Sequence, residues 1–223
     1  AELQSLSQTL QAERTIPSEV YQMLRSIPEG ADSSAVLRTA VSQLGLFDVE
    51  AQDPSPEANY RKALRLTAKM PTVLAAFDRI RKGLEPVAPT GEGSLAREFL
   101  YMLNGVEPGE MAVQTFDLCL ILHADHGLNA STFTARVVGS TLSDLYSAIT
   151  AAIGALKGPL HGGANREVMK SLLEIRETGS DPADYILQKL ARKERVMGFG
   201  HRVYKTMDPR ATSLRTMLTR LSD

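Results

Sequence analysis

Apolar residues recur at helical spacing from one end of this chain to the other, and no stretch of useful length alternates apolar with polar residues as a half-buried strand does. Residues 1–14 carry Leu3, Leu6 and Leu10. Pro17 opens a second segment at 18–26, and a third at 33–44 closes on Gly45, a helix stop. A long run opened by Ser55 and Pro56 is read as interrupted at Pro71 and ending at Gly83. Further helices are expected at 94–104, 108–126, 131–139, 143–156, 164–178, 182–195 and 209–221, joined by short polar or glycine-bearing turns. The fold class is all-α. The stretches 48–55 and 84–93 read as mobile loops, and no short internal repeat is present.

Composition shifts at Lys157-Gly158-Pro159, from alanine-rich, densely apolar helices to shorter and more charged ones. A domain junction near residue 162 is expected, with 1–161 in a large helical domain, 162–223 in a smaller one and His161 at the hinge. The chain has 223 residues, enough for a substantial core. Its net charge of −1 includes no basic block, which argues against nucleic acid and membrane surfaces as partners. No apolar stretch reaches the roughly 20 residues that span a bilayer. The single cysteine, Cys119, lies in an apolar helical run with no base or cation beside it, so it reads as a buried structural thiol in a reducing, cytoplasmic setting. The chain starts at Ala1 in the middle of a helical pattern and is read as a piece of a longer protein.

Of four histidines, three sit where chemistry is done. His161 precedes Gly162-Gly163 and a helix expected from Ala164. Glycines there let another group approach the backbone closely. A neutral imidazole at a helix N-terminus can donate to an oxygen gaining negative charge, as in an enolate, or it can simply cap the helix. His201 lies in a loop behind Gly198 and Gly200, with Asp208-Pro209-Arg210 following. Asp208 and Pro209 suit a helix start, which puts Arg210 in the first turn, where free N–H groups and a guanidinium suit a carboxylate. Read alone, Arg210 is by default a solvated surface residue. His123 and His126 are spaced to share a helix face, a metal-like spacing that lacks a second ligand pair; no metal is expected. Asn129 and Ser131 can cap the next helix or orient a ring from elsewhere.

Together these segments resemble the citrate synthase family. The likeness lies in His-Ala-Asp-His-Gly-Leu-Asn-Ala-Ser-Thr at 123–132, Gly-Pro-Leu-His-Gly-Gly-Ala-Asn at 158–165, and Met-Gly-Phe-Gly-His-Arg-Val-Tyr-Lys with Asp-Pro-Arg across 197–210. Order and spacing fit as well: 35 positions from His126 to His161, 40 on to His201 and 9 more to Arg210. The resemblance covers essentially the whole chain.

It implies an all-helical homodimer, or a higher oligomer, whose large and small domains close over oxaloacetate and acetyl-coenzyme A, with no permanent cofactor. The implied reaction is the citrate-forming condensation that opens the tricarboxylic acid cycle. His161 matches the histidine that stabilises the enolate of acetyl-coenzyme A, and Ser131 the residue that orients its ring. His201 matches the histidine that polarises the oxaloacetate carbonyl; His126 and Arg210 match residues that bind oxaloacetate. Arg195, Val196, Met197, Gly198 and Phe199 match the segment whose backbone holds coenzyme A. The family's usual glutamate after the His126 counterpart is replaced by Gly127, a subfamily variation. The aspartate that removes the methyl proton matches no aspartate here, Asp181, Asp184 and Asp208 included, and its motif is expected beyond Asp223. Residues 1–223 alone are therefore expected to be inactive. Alternatives are a 2-methylcitrate synthase acting on propionyl-coenzyme A, and a non-catalytic helical assembly module if 223 residues were the whole protein. A helical metal phosphohydrolase would need an adjacent His-Asp pair that the chain lacks.

Overall fold

A computed structural model describes residues 2–125, 127–200 and 206–222. Among the described residues eleven helices follow one another and there is no strand. They are α1 (Glu2–Ala12), α2 (Ser18–Ser26), α3 (Ser33–Leu44), α4 (Pro56–Ile80), α5 (Leu95–Asn104), α6 (Glu110–His123), α7 (Ala130–Gly139), α8 (Leu145–Leu156), α9 (Gly163–Thr178), α10 (Pro182–Ala191) and α11 (Pro209–Ser222). No described helix is long and apolar enough to cross a membrane.

Short polar side chains set the starts. Asp32, Ser55, Ser94, Asn129, Asp144 and Asp181 each accept a hydrogen bond from a backbone N–H two or three residues on. Such a cap satisfies a donor that the helix itself leaves orphaned and is worth about 1 kcal/mol.

Two expected boundaries are corrected. Pro71 does not interrupt α4, which runs unbroken through it. A proline inside a helix costs about 3 kcal/mol, but Leu66, Val73 and Phe77 on the same helix are fully buried. Each such burial contributes about 1.5–3 kcal/mol, so packing outweighs the lost bond. The tenth helix stops at Ala191, not at Arg195. Lys193 takes a left-handed conformation with φ 57°. The Lys193 N–H then reaches the Leu190 carbonyl at 3.0 Å and the Glu194 N–H the Lys189 carbonyl at 2.9 Å, a closed C-terminal cap. Arg195 to Phe199 are thereby released into a loop.

The core lies between α2, α3, α4 and α8, where Val20, Leu24, Val41, Leu66, Val73, Phe77 and Ile153 meet. Gly45 was expected as an ordinary helix stop, yet its φ of −62° is right-handed. What requires glycine there is contact: a Cβ would stand 2.9 Å from the Tyr146 Cβ of α8. Beyond Gly158 burial is sparse, and Tyr185 and Met217 are the buried apolar residues among those described. Tyr185 Oη donates to Glu174 Oε2 at 2.6 Å, joining α10 to α9, while α11 packs on α6.

Both long loops, expected to be mobile, are tethered. Lys62, fully buried, donates to the Ala51 and Asp53 carbonyls at 3.1 and 2.7 Å. Arg65 bridges Asp48 and Glu50 at 2.8 and 2.7 Å, and Tyr146 donates to Asp48. The second loop is held by buried Arg14, which donates to the Glu92 and Gly93 carbonyls and to Glu98 at 2.6 Å. The Arg61 guanidinium, then that of Arg65, holds the Glu50 carboxyl down at about 2. A carboxyl depressed by folding stabilises fully above its unfolded value of about 4 and loses that contribution as pH falls toward the folded one. The denaturation midpoint is expected to decline between about pH 4 and pH 2, and less steeply in Glu50→Gln. Identical profiles for the two chains in urea titrations would contradict this.

Candidate active site

The site begins at the end of α8. Its last residue, Leu156, and its C-cap, Lys157, run into the turn 158–162 that carries His161, and α9 starts at Gly163. The two glycines after His161 were expected to admit a ligand; the neighbour they admit is this chain's own helix end. A Cβ on Gly162 would stand 2.5 Å from Leu156 Cδ1, and one on Gly163 would overlap the Lys157 carbonyl oxygen. The turn is thus pressed against a helix whose Ile153 and Tyr146 are in the core. From the other side, Arg166 in the first turns of α9 pairs with Asp32, the cap of α3, and Lys157 lies 3.8 Å from the same carboxylate.

His161 and Ser131, thirty positions apart in sequence, meet. Ser131 Oγ lies 2.5 Å from His161 Nε2 and 3.0 Å from Asn129 Oδ1. All three residues are half-buried. Asn129 therefore does both things its position suggested: it caps α7 by accepting the Thr132 N–H at 3.0 Å, and it touches the serine beside the ring. With Nε2 engaged by Ser131, Nδ1 makes no hydrogen bond among the described residues.

The sixth helix was expected to run to about residue 126, and the pairing of His123 with His126 on one face falls on a residue outside those described. The sixth helix ends at His123, whose Nδ1 lies 2.6 Å from the Cys119 carbonyl oxygen and so meets one of the last-turn acceptors. Asp125 Oδ1 then accepts the Gly127 N–H at 2.9 Å, turning the chain away. Cys119, expected to be buried, is only half-buried. His126 and His201 lie outside the described residues. Among the described residues no group of three or more His, Cys, Asp or Glu side chains could hold a metal.

Arg210 stands in the first turn of α11, as expected. It is half-buried, with its guanidinium clasped by Asp208: Nη2 to Oδ2 at 2.8 Å and Nε to Oδ1 at 3.1 Å. Sequence reasoning took Asp208 for a cap alone; its i, i+2 relation to Arg210 across a helix start was the available signal. The segment Arg195, Val196, Met197, Gly198 and Phe199 is a loop between α10 and α11, with Phe199 strongly exposed. It lies along α9, since Val168 Cγ2 is 2.8 Å from where a Gly198 Cβ would be. Among the described residues no hydrogen bond joins this loop or Arg210 to His161. A cleft of about 410 Å³ lies at the opposite end of α8, beside Tyr146. Its cations are occupied, Arg65 by Asp48 and Glu50, Lys69 by Glu13 and Thr15, so it offers an anion little.

A family model described as "Citrate synthase, C-terminal domain" matches residues 1–223. The chain belongs to the citrate synthase family. It is 58% identical over its whole length to the Bacillus subtilis citrate synthase 2, spanning 60% of that protein. It is 46% identical to a Mycobacterium tuberculosis 2-methylcitrate synthase, over 99% of this chain and 56% of that one. The ternary complex of the Thermoplasma acidophilum citrate synthase with carboxymethyl coenzyme A and oxaloacetate superposes with a TM-score of 0.91 at 33% identity, covering 99% of this chain and 58% of that one. The chain thus spans 56–60% of the length of these relatives.

Proposed function

We propose that the protein condenses acetyl-coenzyme A with oxaloacetate and hydrolyses the product to citrate and coenzyme A. The observation that carries this reading is the 2.5 Å contact between Ser131 Oγ and His161 Nε2, which engages Nε2 and leaves Nδ1 as the donor for a developing oxyanion. A base removes a proton from the thioester methyl group, and the electron pair moves onto the carbonyl oxygen, where His161 donates. The enol carbon then attacks the ketone carbon of oxaloacetate as His201 donates to the ketone oxygen, and water cleaves the thioester. Arg210 and His126 hold the dicarboxylate, and the backbone of 195–199 holds coenzyme A. His201 and His126 are assigned by their motif positions, and no residue of these 223 is assigned as the base. No resident metal or cofactor takes part.

The proposal extends to the architecture. Residues 1–161 form part of a large domain and 162–223 part of a small one that closes over the substrates; the sparse burial beyond Gly158 supports this division. The enzyme is a homodimer working in the cytoplasm. Ile121 on α6 and Phe133 and Val137 on α7 are exposed apolar side chains that a second copy would cover.

A second reading, 2-methylcitrate synthesis from propionyl-coenzyme A, is favoured by the 46% identity to such an enzyme. One methylene changes discrimination by only about 1–3 kcal/mol, so the pocket and not the catalytic groups decides between them. The test is thiol release with oxaloacetate by the enzyme expressed from its whole gene, comparing kcat/KM for acetyl- and propionyl-coenzyme A. A higher value for acetyl is expected; a higher value for propionyl establishes the second reading, and release from neither overturns both.

A further inference from the structure

The hydroxyl of Ser131 has one proton and two acceptors within reach, His161 Nε2 at 2.5 Å and Asn129 Oδ1 at 3.0 Å. The second acceptor is an oxygen by necessity. The same atom takes the Thr132 N–H at 3.0 Å, which an amide NH₂ could not do, so the backbone of α7 fixes which way the Asn129 amide faces.

The destination of that single proton decides the tautomer of the ring. If Ser131 donates to Asn129, its oxygen must accept from His161 Nε2–H, and Nδ1 is left bare. If Ser131 donates to Nε2, the ring proton sits on Nδ1 and points outward. The imidazole nitrogen is the nearer and the more basic acceptor, while the amide oxygen is neutral and already holds one donor. The contest goes to Nε2 because the competitor is uncharged. A carboxylate in the same place would form a charge-assisted bond roughly twice as strong, and would take the proton.

We propose that Asn129 is a positioning residue whose neutral amide keeps His161 in the Nδ1–H tautomer. Its consequence for the rate rests on His161 being the donor to the enolate. Helix capping alone does not ask for this residue, because aspartate caps as well as asparagine and its charge suits a helix N-terminus. Position 129 therefore separates the two roles: a change from amide to carboxylate keeps the size and the cap and alters only the competition for the proton.

The experiment is ¹⁵N NMR of the His161 ring in the enzyme expressed from its whole gene, at a pH about two units above the ordinary imidazole value of about 6.5. It is read together with kcat, KM and Tm. The parent is expected to carry the proton on Nδ1. Asn129→Asp is expected to carry it on Nε2, with Tm retained, KM for oxaloacetate little changed and kcat lowered about 10²-fold, the size of a lost oxyanion donor. Asn129→Ser, a neutral cap, is expected to keep the parent's nitrogen pattern. An unmoved pattern in Asn129→Asp, or a moved one in Asn129→Ser, overturns the proposal. A moved proton with kcat intact supports the role of Asn129 and overturns instead the reading of His161 as the enolate donor.

Discussion

Replacing His161 by alanine is expected to lower kcat by about 10²–10³, the usual effect of removing one donor from a developing oxyanion. The binding of oxaloacetate should change much less, because in the proposed mechanism the bond from Nδ1 strengthens only as charge moves onto the thioester oxygen. The surroundings of the ring favour a clean measurement. The His161 and Gly163 N–H groups donate to the Gly158 carbonyl at 2.9 and 3.1 Å, so the turn keeps its backbone support when the imidazole is removed. The check is steady-state kinetics with each substrate varied in turn. Near-parent turnover would remove His161 from the mechanism, and a matched rise in KM for oxaloacetate would relocate it to substrate binding.

Arg210→Leu should fall on the other substrate. A guanidinium lost from a desolvated carboxylate pair costs about 2–5 kcal/mol, so oxaloacetate binding should weaken by at least about an order of magnitude. Acetyl-coenzyme A affinity, measured without oxaloacetate, should move far less. The clasp of Asp208 on Arg210 sharpens the expectation. A substrate carboxylate at the proposed site would compete with Asp208 for the guanidinium fork. Calorimetric titration with each ligand separates the cases. Equal losses for both would make Arg210 a support of the fold.

Most helix starts could be read from the sequence because their signal is local. Asp32, Ser55, Ser94 and Asp144 have side chains short enough to reach a backbone N–H three residues on, and they did so. The failures share another cause. Pro71 is a strong local breaker, and only the burial of Val73 and Phe77 beyond it shows why α4 continues. The end of α10 rests on Lys193 in a left-handed turn, where glycine would have been a signal and lysine is none. Gly45, Gly162 and Gly163 announced that a Cβ was unwelcome but not what filled its space. For Gly45 and Gly162 the neighbour is a side chain of helix α8, and for Gly163 it is the backbone of Lys157 and Gly158 just after that helix. At the site, Ser131 and His161 sit on segments that nothing local relates; their pairing was legible through the family resemblance, and the hydrogen bond between them gives it a geometry. The clasp of Asp208 on Arg210 went unread because an aspartate before a proline already has a sufficient reason to be there.

The eighth helix has one end in the core and the other under the histidine. Tyr146 lies against Gly45 at its start, Ile153 is buried at its middle, and Leu156 with Lys157 forms the seat of the 158–162 turn. Alongside the Ser131 contact, the turn that carries the imidazole takes its position from a rod clamped at the far end. In genetic terms, loss-of-function alleles at Gly45 or Tyr146 would be grouped with alleles at His161 by any screen that scores product alone, although neither side chain need come near a substrate. Abundance separates the two groups: the core alleles deplete the protein, whereas those at the histidine leave a normal amount of folded but idle enzyme.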